Sequence, residues 1–132
     1  WKGENVATSE VAEAFAGFDG ILETNVYGVT IPGSDGKAGM AALSTDRDLN
    51  LENLYQSLSS SLPAYAQPII LRIKKEIEIT GTFKHRKVEL VKEGYNPEEI
   101  KEPMYFCDHK SQTYLPLDKE LYEKIQNKEL KL

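Results

Sequence analysis

Leu51, Leu54, Tyr55, Leu58 and Leu62 fall at i, i+3, i+4, i+7 and i+11, so their side chains line one face of a helix. Asn50 stands where an N-cap side chain belongs, and Pro63 cannot continue the helix. On both sides of this segment the apolar period switches from 3.6 to 2. Tyr27, Val29 and Ile31 alternate with polar or small residues, and Gly39 to Ser44 form a second β-prone run. So few residues join these two runs that they are expected to pair antiparallel. Ile69, Leu71 and Ile73 keep one phase of a period-2 pattern, which Ile77 and Ile79 resume after Lys75. One buried face is expected there, with Arg72, Lys74 and Thr80 opposite. A one-faced helix set between alternating runs needs a sheet on which to bury its stripe, and the chain reads as α+β.

The remaining elements are shorter. Thr8-Ser9-Glu10 offers a cap and a first-turn acid ahead of Val11, Phe15 and Phe18, a short amphipathic helix stopped by Gly17 and Gly20. Pro32-Gly33-Ser34-Asp35-Gly36 reads as a turn. Lys87 to Glu93 can form a short helix ending at Gly94. Met104-Tyr105-Phe106 and Tyr114-Leu115 are short β-prone runs, and a helix follows Asp118 with Leu121, Tyr122 and Ile125 inward. The expected architecture is a small sheet of about three strands flanked by helices. Phe15, Val29, Leu54, Leu58, Leu71 and Ile73 are its candidate core.

With 132 residues the chain has room for one modest core. Its 40% hydrophobic and 28% charged residues are those of a folded globule, not of a disordered chain. The longest apolar runs, such as Pro68-Ile69-Ile70-Leu71, fall far short of the roughly 20 residues needed to span a bilayer. The start Trp1-Lys2-Gly3-Glu4 lacks an initiator Met and the regions of a signal peptide, so it reads as a cut through a longer chain. One cysteine, Cys107, permits no internal disulfide and fits a reducing compartment. With only His85 and His109 beside it, no metal site is expected.

The net charge of −5 hides an asymmetry. Between Arg72 and Lys92 stand seven basic residues against three acidic ones, which leaves nine basic and eighteen acidic residues elsewhere. Within that stretch, Thr80-Gly81-Thr82-Phe83-Lys84-His85-Arg86-Lys87 is a strand end followed by a Gly-containing loop that presents a lysine ahead of further cations. Such a loop can bring an ammonium to where negative charge develops on a phosphate or carboxylate. Read from composition alone, it is a solvated basic turn before it is anything else, since Lys/Arg clusters are common surface features. Gly3 can serve a turn or a close approach to a ligand. Glu10 suits the positive end of a helix whether or not it has a further role. His85, His109 and Cys107 read as structural or solvated, because no supported nucleophile accompanies them.

The lysine motif resembles the late motif of the fatty acid transport protein and very long-chain acyl-CoA synthetase family, a branch of the acyl-adenylate-forming enzymes. Trp1-Lys2-Gly3-Glu4-Asn5-Val6-Ala7-Thr8-Ser9-Glu10-Val11 is similar to that family's segment just after the hinge between its two domains. Asn25-Val26-Tyr27-Gly28-Val29, Gly36-Lys37-Ala38-Gly39-Met40-Ala41, Leu62-Pro63, Gly94-Tyr95-Asn96-Pro97 and Tyr114-Leu115-Pro116-Leu117 follow in the family's order, so the likeness covers essentially the whole chain.

The resemblance implies that residues 1–132 are the mobile C-terminal lid domain of a longer ligase whose N-terminal domain binds ATP and fatty acid. It implies ATP, Mg2+ and CoA for the full-length enzyme and none bound by this domain alone. It assigns Lys84 to the catalytic lysine of adenylation, Gly3 to the loop lining the pantetheine tunnel, Glu10 to the acid that starts the next helix, and Thr8 to its cap. Phe83 stands where much of the wider superfamily has Gly before the lysine, and Phe is the usual residue in the transport-protein branch. The implied partner is the N-terminal domain of the same chain, with no nucleic acid. The domain itself is expected to be soluble on the cytoplasmic side, its parent peripheral to a membrane. The competing reading is a non-enzymatic module whose basic stretch docks anionic lipid or nucleic acid.

Overall fold

The computed structural model describes residues 7–32, 37–74 and 89–127. Helix α1 (Thr8–Phe15) precedes strands β1 (Ile21–Thr30) and β2 (Lys37–Thr45), helix α2 (Leu51–Ser61) and strand β3 (Ile70–Lys74). Residues 89–93 are helical, and strands β4 (Met104–Asp108) and β5 (Thr113–Pro116) and helix α3 (Lys119–Gln126) complete the order. The described residues form one mixed sheet in the order β1-β2-β3-β4-β5. β1 and β2 are antiparallel, as their close spacing requires. β2 and β3 run parallel, with Ala42 opposite Arg72, because α2 carries the chain back between them.

The sheet therefore has five strands, not about three. β4 and β5 are only five and four residues long, and they are stable as strands because β4 pairs with β3, Ile70 opposite Phe106, and β5 with β4. Those partners lie far away in sequence, and local propensity does not report them.

A second correction concerns burial. α1 and α2 cover one face of the sheet, where Val11, Phe15, Leu43, Leu54, Leu58 and Leu71 form a core. Residues 89–100 and α3 cover the other, where Tyr27, Val29, Met40, Ile70, Leu90 and Ile125 form a second. β1 is thus buried on both sides around Val26 and Tyr27, where alternation predicts one solvated face. Of the predicted core, Ile73 alone is partly exposed.

Local signals set the helix ends. The Asn50 side chain accepts from the Asn53 N–H at 3.0 Å, and Asp118 accepts from the Leu121 N–H at 2.8 Å. Ile125 is buried, and Leu121 and Tyr122 pack against the second core. Gly94 ends the helical turn of residues 89–93 at φ +65°, a conformation that glycine adopts without a Cβ clash. Thr8 is the first residue of α1 and not its cap: the N-cap is Ala7, which has no side chain to accept a hydrogen bond. Ile77, Ile79 and the turn residues 33–36 lie outside the described residues.

Candidate functional site

Lys84 and Gly3 both lie outside the described residues, as do His85, Arg86 and Lys87. Their attachment points are described. β2 and β3 are in parallel register up to Ser44 opposite Lys74, so the stretch that carries Lys84 leaves at the carboxyl end of the parallel pair. In open sheets with parallel strands, ligands collect at that end. A cavity of about 450 Å3 opens there among Arg47, Asp48, Leu49, Ile73, Pro103 and Tyr105.

The N-terminal stretch enters elsewhere. Ala7, Glu10 and Glu13 of the α1 region line a cavity of about 580 Å3 with Leu62, Pro63 and Tyr65. The latter residues follow α2 and lead to the start of β3. The chain thus reaches α1 near the amino end of β3, and its described part ahead of Lys84 ends at the carboxyl end of β3. Thr8 and Glu10 are exposed, Glu10 in the first turn of α1, where an acid favours the helix dipole.

Arg72 is the buried charge that period-2 reasoning misplaces among solvated cations. It is 8% exposed, on the face it shares with Ile70, and its Nη2 donates to Glu93 Oε2 at 3.1 Å and to Glu102 Oε1 at 3.0 Å. Burial works against its charge, but the hydrogen bonds it donates to the two carboxylates more than offset this and raise its pKa. Burial likewise pushes the Glu102 carboxyl up, while Arg72 draws it further down, so that it ends below its ordinary value. The available signal was Ile70, an apolar residue in the same phase as Arg72, which marks a covered second face.

His109 and Cys107 are structural. The Tyr55 hydroxyl lies 2.7 Å from His109 Nδ1, joining α2 to the β4–β5 hairpin. Burial pushes the Cys107 thiol up to about 12, against a smaller downward pull from Tyr114. A thiol is a nucleophile only as thiolate. Cys107 should therefore resist Ellman's reagent at neutral pH and react fully in denaturant; fast reaction of the native chain would contradict its burial. Among the described residues no group of three or more His, Cys, Asp or Glu could hold a metal ion. No helix among them is long and apolar enough to cross a membrane.

The sequence is 50% identical over its whole length to long-chain fatty acid transport protein 6 of Mus musculus, and 49% identical to long-chain fatty acid transport protein 2 of Rattus norvegicus. The chain is a relative of the long-chain fatty acid transport proteins. It matches their C-terminal part and spans 22% of the length of each of these two relatives. No family model matches. The fold is similar to part of o-succinylbenzoate CoA synthetase from Bacillus subtilis, with a TM-score of 0.57 and 19% identity over 70% of this chain and 19% of that one. The fatty acyl CoA synthetase of Mycobacterium tuberculosis aligns with the same TM-score and identity over 69% of this chain and 19% of that chain. The α+β sheet is thus similar in fold to part of these two CoA synthetases.

Proposed function

We propose that this chain is the C-terminal domain of an AMP-forming ligase for long- or very-long-chain fatty acids. The observation that carries this reading is the 50% identity to a long-chain fatty acid transport protein over the whole chain, joined to a fold similar to that of CoA synthetases. The parent reaction is fatty acid plus ATP giving acyl-AMP and pyrophosphate, then attack of the CoA thiol giving acyl-CoA and AMP. Mg2+ accompanies ATP, and the described residues offer no cluster to hold it. The N-terminal domain of the parent binds ATP and the acyl chain.

In this reading Lys84 places one positive charge between the substrate carboxylate and the α-phosphate during adenylation. Gly3 and the loop before α1 line the path of the pantetheine arm in the second step, with Thr8 and Glu10 supporting that loop from the first turn of α1. The attachment points support a division of labour, because the chain reaches α1 at one end of the sheet and leaves β3 for Lys84 at the other. A domain that turns between steps can present each end in its turn.

Gly3→Leu in the full-length protein is expected to slow thioester formation about tenfold or more, because a leucine side chain fills space the pantetheine arm needs. Pyrophosphate release should stay near its original rate. Equal loss in both half-reactions would show that Gly3 serves folding. The isolated domain is expected to bind neither ATP nor fatty acid, since a few charges in water attract phosphate only weakly. Micromolar ATP binding by calorimetry at physiological salt would contradict this.

The binding-module reading loses ground on one residue. Arg72, first cation of the basic stretch, is buried and neutralised by Glu93 and Glu102, so it is not available to a lipid or nucleic-acid surface.

A further inference from the structure

Arg72 belongs to a row of residues in register across the sheet: Asn25 of β1, Ala42 of β2, Arg72 of β3 and Met104 of β4. Ala42 and Met104 pack with the second core, and alternation puts Asn25 on the same side as Tyr27. The next row on that face is Tyr27, Met40 and Ile70, all three in the second core. Ala42 therefore has three larger polar residues as its neighbours in the sheet, Asn25, Tyr27 and Arg72, and all three are more than nine-tenths buried. Glu93 and Glu102 close the cluster from the layer over this face, where Arg72 Nη2 donates to both. Asn25 has a partner as well, its Nδ2 donating to Glu23 Oε1 at 3.4 Å.

Two donors of the cluster are left over. Arg72 Nη1 and the Tyr27 hydroxyl are both buried without a hydrogen-bond partner among the described residues. Only four buried side-chain nitrogens or oxygens there share that condition, and two of them meet at this one alanine. Burial raises the pKa of the Tyr27 hydroxyl, and the charges of Arg72 and Glu93 both act on it, so it remains a protonated donor beside the guanidinium. A buried donor left unpaired carries its full desolvation cost, and folded proteins satisfy nearly all such groups with protein or ordered water.

The ligand that satisfies these two must accept from both. An anion would meet the two carboxylates that bracket the guanidinium, and a metal cation would meet N–H hydrogens. An apolar molecule would leave both donors unpaired. A small neutral acceptor fits, and over a residue as small as alanine that is water.

We propose that Ala42 floors a site for one buried water molecule, which accepts hydrogen bonds from Arg72 Nη1 and the Tyr27 hydroxyl. Its own hydrogens are donated to the carboxylates of Glu93 or Glu102, which gives the roughly three bonds that a buried water makes. The water extends the Arg72 bridge to β1, so that one polar network ties β1, β3, the turn of residues 89–93 and the entry to β4. This inference stands apart from the roles given to Lys84 and Gly3.

A crystal structure of the full-length protein, at a resolution that shows ordered water, should place one water within about 3.2 Å of both Arg72 Nη1 and the Tyr27 hydroxyl oxygen. Crystals grown in bromide should show no anomalous peak at that point. A bromide peak would identify an anion site and overturn the proposal, as would a direct hydrogen bond from either donor to another protein group in place of water. Hydrogen exchange of the full-length protein provides a second reading. Ala42→Val sets two methyl groups where the water sits and leaves both donors unpaired, so exchange in β1 and residues 89–102 should speed by about tenfold. In a Tyr27→Phe background, with one donor already gone, the same change should speed it by only about threefold. Equal acceleration in the two backgrounds would mean simple crowding and overturns the water site. Should Ala42→Val fail to fold, the crystal structure of the unaltered protein decides alone.

Discussion

Replacing Lys84 by alanine in the full-length protein is expected to lower acyl-AMP formation by on the order of 10² to 10³, about 3 to 4 kcal/mol. The cause is electrostatic. As the carboxylate attacks the α-phosphate, negative charge shifts onto the departing pyrophosphate, and a preorganised ammonium stabilises that shift more than it stabilises the bound substrates. Supplying preformed acyl-AMP should restore most of the thioester-forming rate, because the proposed role of the lysine ends with adenylation. Arg86→Ala and Lys87→Ala are the controls, and each should leave adenylation within a few-fold of the original. Even, graded losses over all three cations, with no separation of the half-reactions, would favour the binding module.

Phe15→Ala is expected to destabilise the domain by about 3–5 kcal/mol, read as a lowered denaturant midpoint of the isolated chain with little change in slope. Phe15 is fully buried between α1 and the sheet, in the core that also holds Val11, Leu54, Leu58 and Leu71. The eight residues of α1 are too few to hold a helix alone in water, so its existence depends on Val11 and Phe15. Because α1 follows directly on the residues that hold Gly3, the proposed role of Gly3 predicts that the same change in the full-length protein impairs the CoA step more than adenylation. A loss under about 1 kcal/mol would mean that α1 is not anchored as the packing implies.

Where the physics was local, the residues alone sufficed. The 51, 54, 55, 58, 62 stripe with Asn50 at its start determines α2 down to its capping hydrogen bond, because helix periodicity and capping act within one turn or two. The same holds for Asp118 ahead of α3 and for Gly94 after the turn of residues 89–93. The antiparallel pairing of β1 and β2 followed from the short link between them. The ordered motifs from Trp1 to Leu117 pointed to the fatty acid transport proteins, and the relatives agree.

Tertiary structure decided what depends on groups distant in sequence. β4 and β5 are too short to announce themselves and become strands by pairing with β3 and each other. β1 and β3 are buried on both faces because residues 89–100 and α3 return to cover the side that alternation left to solvent. The same return decides the fate of Arg72. In sequence it is the first cation of a basic stretch; in the fold it is buried and bridged to Glu93 and Glu102, its partners 21 and 30 residues away. A charge belongs to its residue wherever the chain goes, but its surroundings are set by which elements pack over it. The number of cations was therefore legible in the sequence, and the one that serves as an internal tie was not.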